Sequence, residues 1–121
     1  MNERFGLPEH VIEQLCSIFW GYPEIERVLV YGSRAKGNYR PGSDIDLSLI
    51  APAMSFDALL QIENRLDDLL LPWMIDLSLL HQIENPDLVA HINRVGIDLC
   101  ALVEKQALAQ ERGADTADNN N

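Results

Sequence analysis

The sequence predicts a small α/β (α+β) domain, because stretches of strand character alternate along the chain with stretches of helical period. Three apolar runs, 26–31, 44–50 and 73–80, are rich in Val, Ile and Leu and have the length of buried strands. Two longer segments, 8–20 and 55–70, carry apolar residues at the spacing of an amphipathic helix. With 121 residues, the chain can form one domain with a modest core.

Further elements follow from local capping signals. Ser55 is a suitable cap for the second helix, and Asn85-Pro86 predicts the start of another helix over 86–94. Residues 97–103 form either a short strand or the start of a last helix, and the pattern leaves both open.

The ends of the chain carry weaker signals. We expect 1–110 to form the domain, beginning with a short lead, and 111–121 to be a disordered tail with little apolar surface to bury. No apolar run has the length of a membrane span, and the N-terminus lacks a signal-peptide pattern. Cys16 and Cys100 match no metal or redox spacing. We therefore predict reduced thiols and a cytoplasmic protein.

The charge of the chain is unevenly distributed. The net charge is −10, yet residues 1–40 hold five basic and five acidic residues, so the whole acidic excess lies after residue 40. Phosphate backbones require a basic surface. General binding of nucleic acid is therefore not expected.

The stretch between the first two predicted strands combines a tight turn with two neighbouring carboxylates. Gly32 permits a sharp turn and the close approach of a ligand, and Ser33 can cap a short helix whose N-terminus attracts anions. Asp44 and Asp46 are two residues apart on a predicted strand, so both side chains point to one face. Adjacent carboxylates repel unless a cation joins them, and Mg2+ often binds carboxylates together with substrate phosphates. The stretch therefore predicts a site for Mg2+ and a phosphate chain.

Three basic residues lie within seven positions of this stretch: Arg34, Lys36 and Arg40. Arginine and lysine form strong charge-assisted hydrogen bonds with phosphate oxygens. We expect at least one of the three to contact the triphosphate.

A third carboxylate, Asp76, lies in the third predicted strand. Residues 45–49 and 75–79 are both Ile-Asp-Leu-Ser-Leu, so Asp and Ser point to one side of each strand. If these strands are neighbours, Asp46 and Asp76 share a face. Aspartate is disfavoured in strands, which points to a function, although a local hydrogen bond is the alternative explanation.

The joint pattern resembles the DNA polymerase beta-like nucleotidyltransferase superfamily: Gly32-Ser33, ten residues, Asp44-Ile45-Asp46, and Asp76 about thirty residues later. The run Gly-Ser-Arg-Ala-Lys-Gly, followed by Gly-Ser-Asp-Ile-Asp-Leu, more closely resembles the minimal nucleotidyltransferase (MNT) family. Its MntA-type antitoxins are encoded beside HEPN-domain toxins of the HepT type. The motif covers about 30–50, and the order of elements fits to about residue 103.

The resemblance implies a mixed sheet with helices on one face and the active site on the other. It implies that Asp44, Asp46 and Asp76 bind two Mg2+ ions, with Asp76 nearest the incoming hydroxyl, and that Gly32 and Ser33 hold the β- and γ-phosphates. It also implies transfer of AMP from ATP, once or several times, to a tyrosine hydroxyl of a cognate HEPN RNase toxin. The toxin is silenced within a hetero-oligomeric complex.

Three other functions are compatible with parts of the sequence. A small-molecule adenylyltransferase of the aminoglycoside type shares the motif but generally carries a further domain that forms much of the acceptor site. A template-directed or tRNA-end polymerase requires a basic surface for nucleic acid, which this acidic sequence does not provide. If the protein were an antitoxin that only binds its toxin, we would expect a damaged metal site. All three aspartates are present here.

Overall fold

A four-stranded mixed sheet is the centre of the computed structural model, which describes residues 3–101 and 103. The strands of this sheet are β3 (Arg27–Tyr31), β4 (Ile45–Ile50), β5 (Ile75–Leu79) and β6 (Ile97–Asp98). The helices are α1 (Glu9–Phe19), α2 (Ser33–Lys36), α3 (Phe56–Asp67) and α4 (Pro86–Val95), and the remaining elements are β1 (Glu3–Arg4), β2 (Leu7–Pro8) and a 3-10 turn (Leu80–Gln82). The predicted α/β (α+β) class is confirmed.

The strands of the sheet follow the order β5-β4-β3-β6. β3 runs antiparallel to both β4 and β6, whereas β4 and β5 run parallel. Parallel neighbours require a crossover, which α3 supplies. Residues 97–103, for which strand and helix were both left open, begin with the short strand β6.

The main core lies between one face of the sheet and the helices α1 and α3. From the sheet, Val28, Val30 and Leu47 are almost fully buried in it, and Ile62 of α3 is fully buried against them. On the other face, Gly96 at the end of α4 packs against Leu29. A Cβ added to Gly96 would lie 3.3 Å from the Leu29 Cβ. The end of α4 therefore covers part of the second face of the sheet, at β3.

The helix α3 is shorter than its sequence pattern predicted. It ends at Asp67, and Ser55 caps it by accepting a hydrogen bond from the Ala58 N–H at 3.2 Å. Leu70, which the pattern placed in the buried stripe, follows the helix with a φ of 55° and is 87% exposed.

The lead of the chain contains a structure that the sequence analysis missed. β1 and β2 pair as a small antiparallel hairpin, joined by Phe5 and Gly6 with φ of 60° and 72°. Two consecutive residues of positive φ are typical of the tight turn that matches the twist of a hairpin.

The prediction for the cysteines was wrong. Cys16 of α1 and Cys100, just beyond β6, form a disulfide with a Cα–Cα distance of 5.8 Å. The sequence spacing gave no signal for the pair, because the two residues meet only after the sheet and α1 have packed. The helices of the described part of the chain are too short or too polar to cross a membrane. The predicted tail 111–121 lies outside the described residues.

Candidate active site

Asp46 and Asp76 lie on neighbouring strands in matching positions. The parallel register of β4 and β5 pairs Asp46 with Asp76, and Ser48 with Ser78. The condition under which Asp46 and Asp76 were expected to share a face, that their strands are neighbours, is therefore met. Since β5 is an outer strand of the sheet, the exposed Asp76 lies at its edge.

Asp44 lies directly before β4 and is exposed. The next residue, Ile45, donates its backbone N–H to the Met74 carbonyl at 2.8 Å. This bond joins the segment of Asp44 to the segment that enters β5. Asp44 and Asp76 are therefore brought to the same end of the β4–β5 pair.

The electrostatic environment of Asp46 disfavours its charge. Burial raises the pKa of the Asp46 carboxyl above its usual value, and the negative charges of Asp76 and Asp44 raise it further. Arg34 lowers the pKa of the same carboxyl, as the weakest of these influences. The carboxylates therefore lie near enough to repel one another, and a bound cation would relieve that repulsion.

Gly32 lies directly against the Asp46 carboxylate. Its φ is 75°, and a Cβ at this position would collide with Oδ2 of Asp46. Gly32, rather than the predicted Ser33, is the N-cap of the short helix α2, and Ser33 is its first residue. The turn thus brings the start of α2, where helical N–H groups lack partners within the helix, next to the partly buried carboxylate of Asp46.

The three basic residues of the motif have different surroundings. Lys36 and Arg40 are exposed to solvent. Arg34 is only 2% exposed. Its guanidinium donates hydrogen bonds to the backbone carbonyls of Phe5, Pro41 and Ser43. These contacts give Arg34 a structural role within the chain, and its contact with the triphosphate stays a prediction.

Tyr31 belongs to the same row of residues, which the sequence analysis missed. The antiparallel register of β3 and β4 pairs Tyr31 with Asp46, so Tyr31, Asp46 and Asp76 follow one another across the sheet. Burial raises the pKa of the Tyr31 hydroxyl, followed by the charges of Asp76 and Asp46. The sequence signal that could have identified Tyr31 as a site residue is its position directly before Gly32.

The donor chemistry of the site suits Mg2+, since hard divalent cations prefer carboxylate oxygens and are completed by substrate phosphates and water. After burial, the negative charges of Asp76 and Asp44 raise the pKa of Asp46, and a cation would offset these charges. Within 3–101 and 103, no three His, Cys, Asp or Glu side chains are close enough to enclose a metal ion. The carboxylates fit a cation that a nucleotide helps to hold, rather than a preformed cage.

The comparisons with known proteins agree with the fold. Residues 13–105 match the model of the family described as polymerase beta, nucleotidyltransferase. One similar solved structure is a toxin-antitoxin with AMP-PNP, with 19% identity over 91% of this chain and 98% of the other, and a TM-score of 0.62. Another is a mutant of the toxin-antitoxin MntA-HpeT, with 22% identity over 95% of this chain and 99% of the other, and a TM-score of 0.59. A comparison with curated protein sequences found no match.

The fold and the match to this family model define the nucleotidyltransferase class of protein. Because the family model matches most of its length, the chain belongs to the polymerase beta nucleotidyltransferase family.

Proposed function

We propose that this protein is an antitoxin that transfers AMP from ATP to a tyrosine hydroxyl of a cognate HEPN-domain RNase toxin. The observation that carries the proposal is the register of Asp46 with Asp76, with the Gly32 turn against Asp46 and Asp44 at the same end of the strands. This arrangement supports a site in which carboxylates bind cations beside a turn that binds phosphates.

In this proposal each residue near the turn has a defined task. Asp44, Asp46 and Asp76 hold two Mg2+ ions, which when bound supply charge neutralisation at the attacking and leaving oxygens. Gly32 and Ser33 bind the β- and γ-phosphates, since the start of α2 directs backbone N–H groups towards an anion.

The exposed cations have a separate role from the turn. Lys36 and Arg40 neutralise the charge that develops on the leaving group, because both are exposed beside the turn.

The chemical step is an in-line displacement. The tyrosine oxygen forms a bond to the α-phosphorus of ATP, and the bond from that phosphorus to the bridging oxygen of the β-phosphate breaks. Pyrophosphate leaves with the electron pair. Asp76 orients the hydroxyl and accepts its proton as the new bond forms. Asp76 lies at the exposed edge of the sheet, which an acceptor on another protein can approach.

The choice of a toxin as the acceptor has two supports. The solved structures of similar fold carry the names toxin-antitoxin and MntA-HpeT, and their chains align with more than nine-tenths of this one. The acidic excess after residue 40 also suits a basic, RNA-cleaving partner in a hetero-oligomeric complex. We expect the reaction in the cytoplasm, where ATP and the RNA targets of such a toxin are found.

Co-expression with the candidate toxin tests this function. The double variant Asp44→Asn/Asp46→Asn should lose the ability to restore growth, whereas Asp67→Asn/Asp68→Asn, an exposed acidic pair with the same change of charge, should retain it. Equal protection by both variants would contradict the proposal and favour an antitoxin that acts by contact. Transfer of AMP to an aminoglycoside in place of the toxin would contradict it as well.

A further inference from the structure

We propose that Arg34 is a positioning residue that fixes the phosphate turn, Asp44 and Asp76 relative to one another. The inference rests on the proposed nucleotidyl transfer and adds to it a residue that contacts neither the nucleotide nor the metal. Arg34 is carried by α2, one residue beyond the Gly32-Ser33 turn.

The hydrogen bonds of Arg34 connect it to two other segments of the chain. Its Nη1 donates to the Phe5 carbonyl at 2.8 Å, in the turn of the N-terminal hairpin. Its Nη2 donates to the carbonyls of Ser43 at 2.7 Å and Pro41 at 3.3 Å, and its Nε donates to Ser43 at 3.2 Å. Because a buried guanidinium requires such partners, the carbonyls are held where its planar fork can reach them.

Asp44 is the residue that this network most directly affects. It follows Ser43, whose carbonyl accepts two of the hydrogen bonds from Arg34. Asp44 lies outside β4 and is exposed. The backbone that carries its carboxylate therefore depends on the anchored end of the loop as well as on the sheet.

Aromatic side chains extend the same network to the segment of Asp76. The guanidinium carbon of Arg34 lies 5.2 Å from the centre of the Tyr39 ring and 5.8 Å from that of Trp73. The Trp73 Nε1–H donates to the Pro41 carbonyl at 3.0 Å. Since Trp73 lies just before β5, the cation joins the loop of Asp44 to the strand of Asp76.

The hairpin closes over this arrangement at Gly6. A Cβ on Gly6 would collide with the Tyr39 ring and would lie 2.8 Å from Nη1 of Arg34. The hairpin, the loop and the aromatic rings therefore enclose the guanidinium. This enclosure explains why a cation within a phosphate-binding motif is only 2% exposed.

The variants Arg34→Lys and Arg34→Met separate positioning from phosphate binding, and Arg65→Met is the matched control. Arg65 also stacks on an aromatic ring, with its guanidinium carbon 5.6 Å from the centre of Tyr22, but it lies on α3. Two properties are measured: binding of Mn2+ in the presence of AMP-PNP, and amide hydrogen exchange.

Both Arg34 variants should weaken Mn2+ binding by about 10- to 100-fold, as loss of residues that support metal ligands commonly does. Exchange should accelerate over 5–8 and 40–44 and stay unchanged in β3. Arg65→Met should change neither property. Lysine should not rescue, because its single ammonium cannot reach all three carbonyls.

A phosphate ligand would behave differently. Normal Mn2+ binding in Arg34→Lys, with a loss confined to AMP-PNP affinity and with exchange unaltered, would overturn the positioning role. If Arg34→Met fails to fold, Trp73→Phe provides a second test, since it removes the hydrogen bond to Pro41 while it keeps an aromatic ring near Arg34, and it should loosen 40–44.

The two proposals fail in distinguishable ways. A wild-type protein that binds Mn2+ and AMP-PNP but labels no toxin would contradict the toxin as acceptor. Exchange and Mn2+ binding in the variants would still decide the role of Arg34.

Discussion

Asp46 of β4 and Asp76 of β5 are register partners on adjacent parallel strands, and the charge of Asp76 raises the pKa of the Asp46 carboxyl. Two like charges in this position destabilise the folded state when no cation is bound. A cation bound between them would relieve this cost.

The first prediction concerns stability without metal. Asp46→Asn should raise the free energy of unfolding at neutral pH in the presence of EDTA, because it removes the charge that burial and its neighbours disfavour. Denaturant unfolding measures this difference. Asp87→Asn, an exposed aspartate in the first turn of α4, is the control and should not stabilise. A less stable Asp46→Asn would contradict the described electrostatics.

The second prediction is the pH dependence of that effect. The folded-state pKa of Asp46 is raised, so the folded state binds a proton more tightly than the unfolded state. The contribution of Asp46 to the free energy of unfolding should therefore fall as the pH rises from the ordinary aspartate pKa through the raised one. Unfolding curves across this range should show the fall in the wild type and not in Asp46→Asn. Equal slopes in both proteins would contradict it.

The third prediction separates the effect of Asp76 on AMP transfer from its effect on the stability of the fold. Asp76→Asn should reduce AMP transfer by at least about 100-fold, because it removes a proposed ligand at the acceptor side. Folding should be retained, since Asp76 is exposed. Steady-state transfer to the toxin and thermal unfolding measure the two effects. Asp67→Asn is the control, and a normal rate in Asp76→Asn would exclude Asp76 from the chemistry.

The fourth prediction compares two glycines of positive φ. Gly37→Ala should destabilise by about 1 kcal/mol, because a Cβ disfavours its left-handed backbone. Gly32→Ala should destabilise by more, because its φ of 75° and ψ of −153° lie in a region that essentially only glycine adopts. Only Gly32→Ala should also lose nucleotide binding, since its Cβ collides with Asp46, whereas a Cβ at Gly37 meets nothing within 4 Å. Calorimetry with AMP-PNP and Mg2+ measures binding. Equal nucleotide binding by both variants would show that the close contact between Gly32 and Asp46 is not required for binding.

The fifth prediction concerns the disulfide between Cys16 and Cys100. It closes a long segment of chain, with a sequence separation of 84, so its loss should lower the free energy of unfolding by about 2–5 kcal/mol. Unfolding of the wild type with and without a reducing agent measures this directly. The variant Cys16→Ala/Cys100→Ala should not respond to the reducing agent. The same midpoint for the oxidised and reduced wild type would contradict the contribution.

The elements near the site were predictable because their signals are local. The pattern of Asp and Ser along 45–49 and 75–79 predicted which residues share a face, and the register of the parallel strands confirmed it. Ser55 and Asn85 were predictable as caps because a cap depends on the residues immediately beside it.

The features that the sequence did not predict depend on tertiary packing. The disulfide depends on how α1 packs near Cys100, and the hairpin at the start of the chain is too short to produce a periodic pattern. Arg34 lies in a motif of phosphate-binding character, so its charge predicted a ligand contact. Arg34 is buried because it donates hydrogen bonds to carbonyls that are 7 to 29 residues away in sequence. No local sequence pattern reveals such contacts.

The most direct test of the account is transfer of label from α-32P-ATP, with Mg2+, onto the protein encoded by the neighbouring gene. The wild type and the Asp44→Asn/Asp46→Asn variant are compared, with mapping of the labelled residue. The account predicts label on a partner tyrosine with the wild type and none with the variant. A stable complex with both proteins and label with neither would contradict AMP transfer as the means of neutralisation.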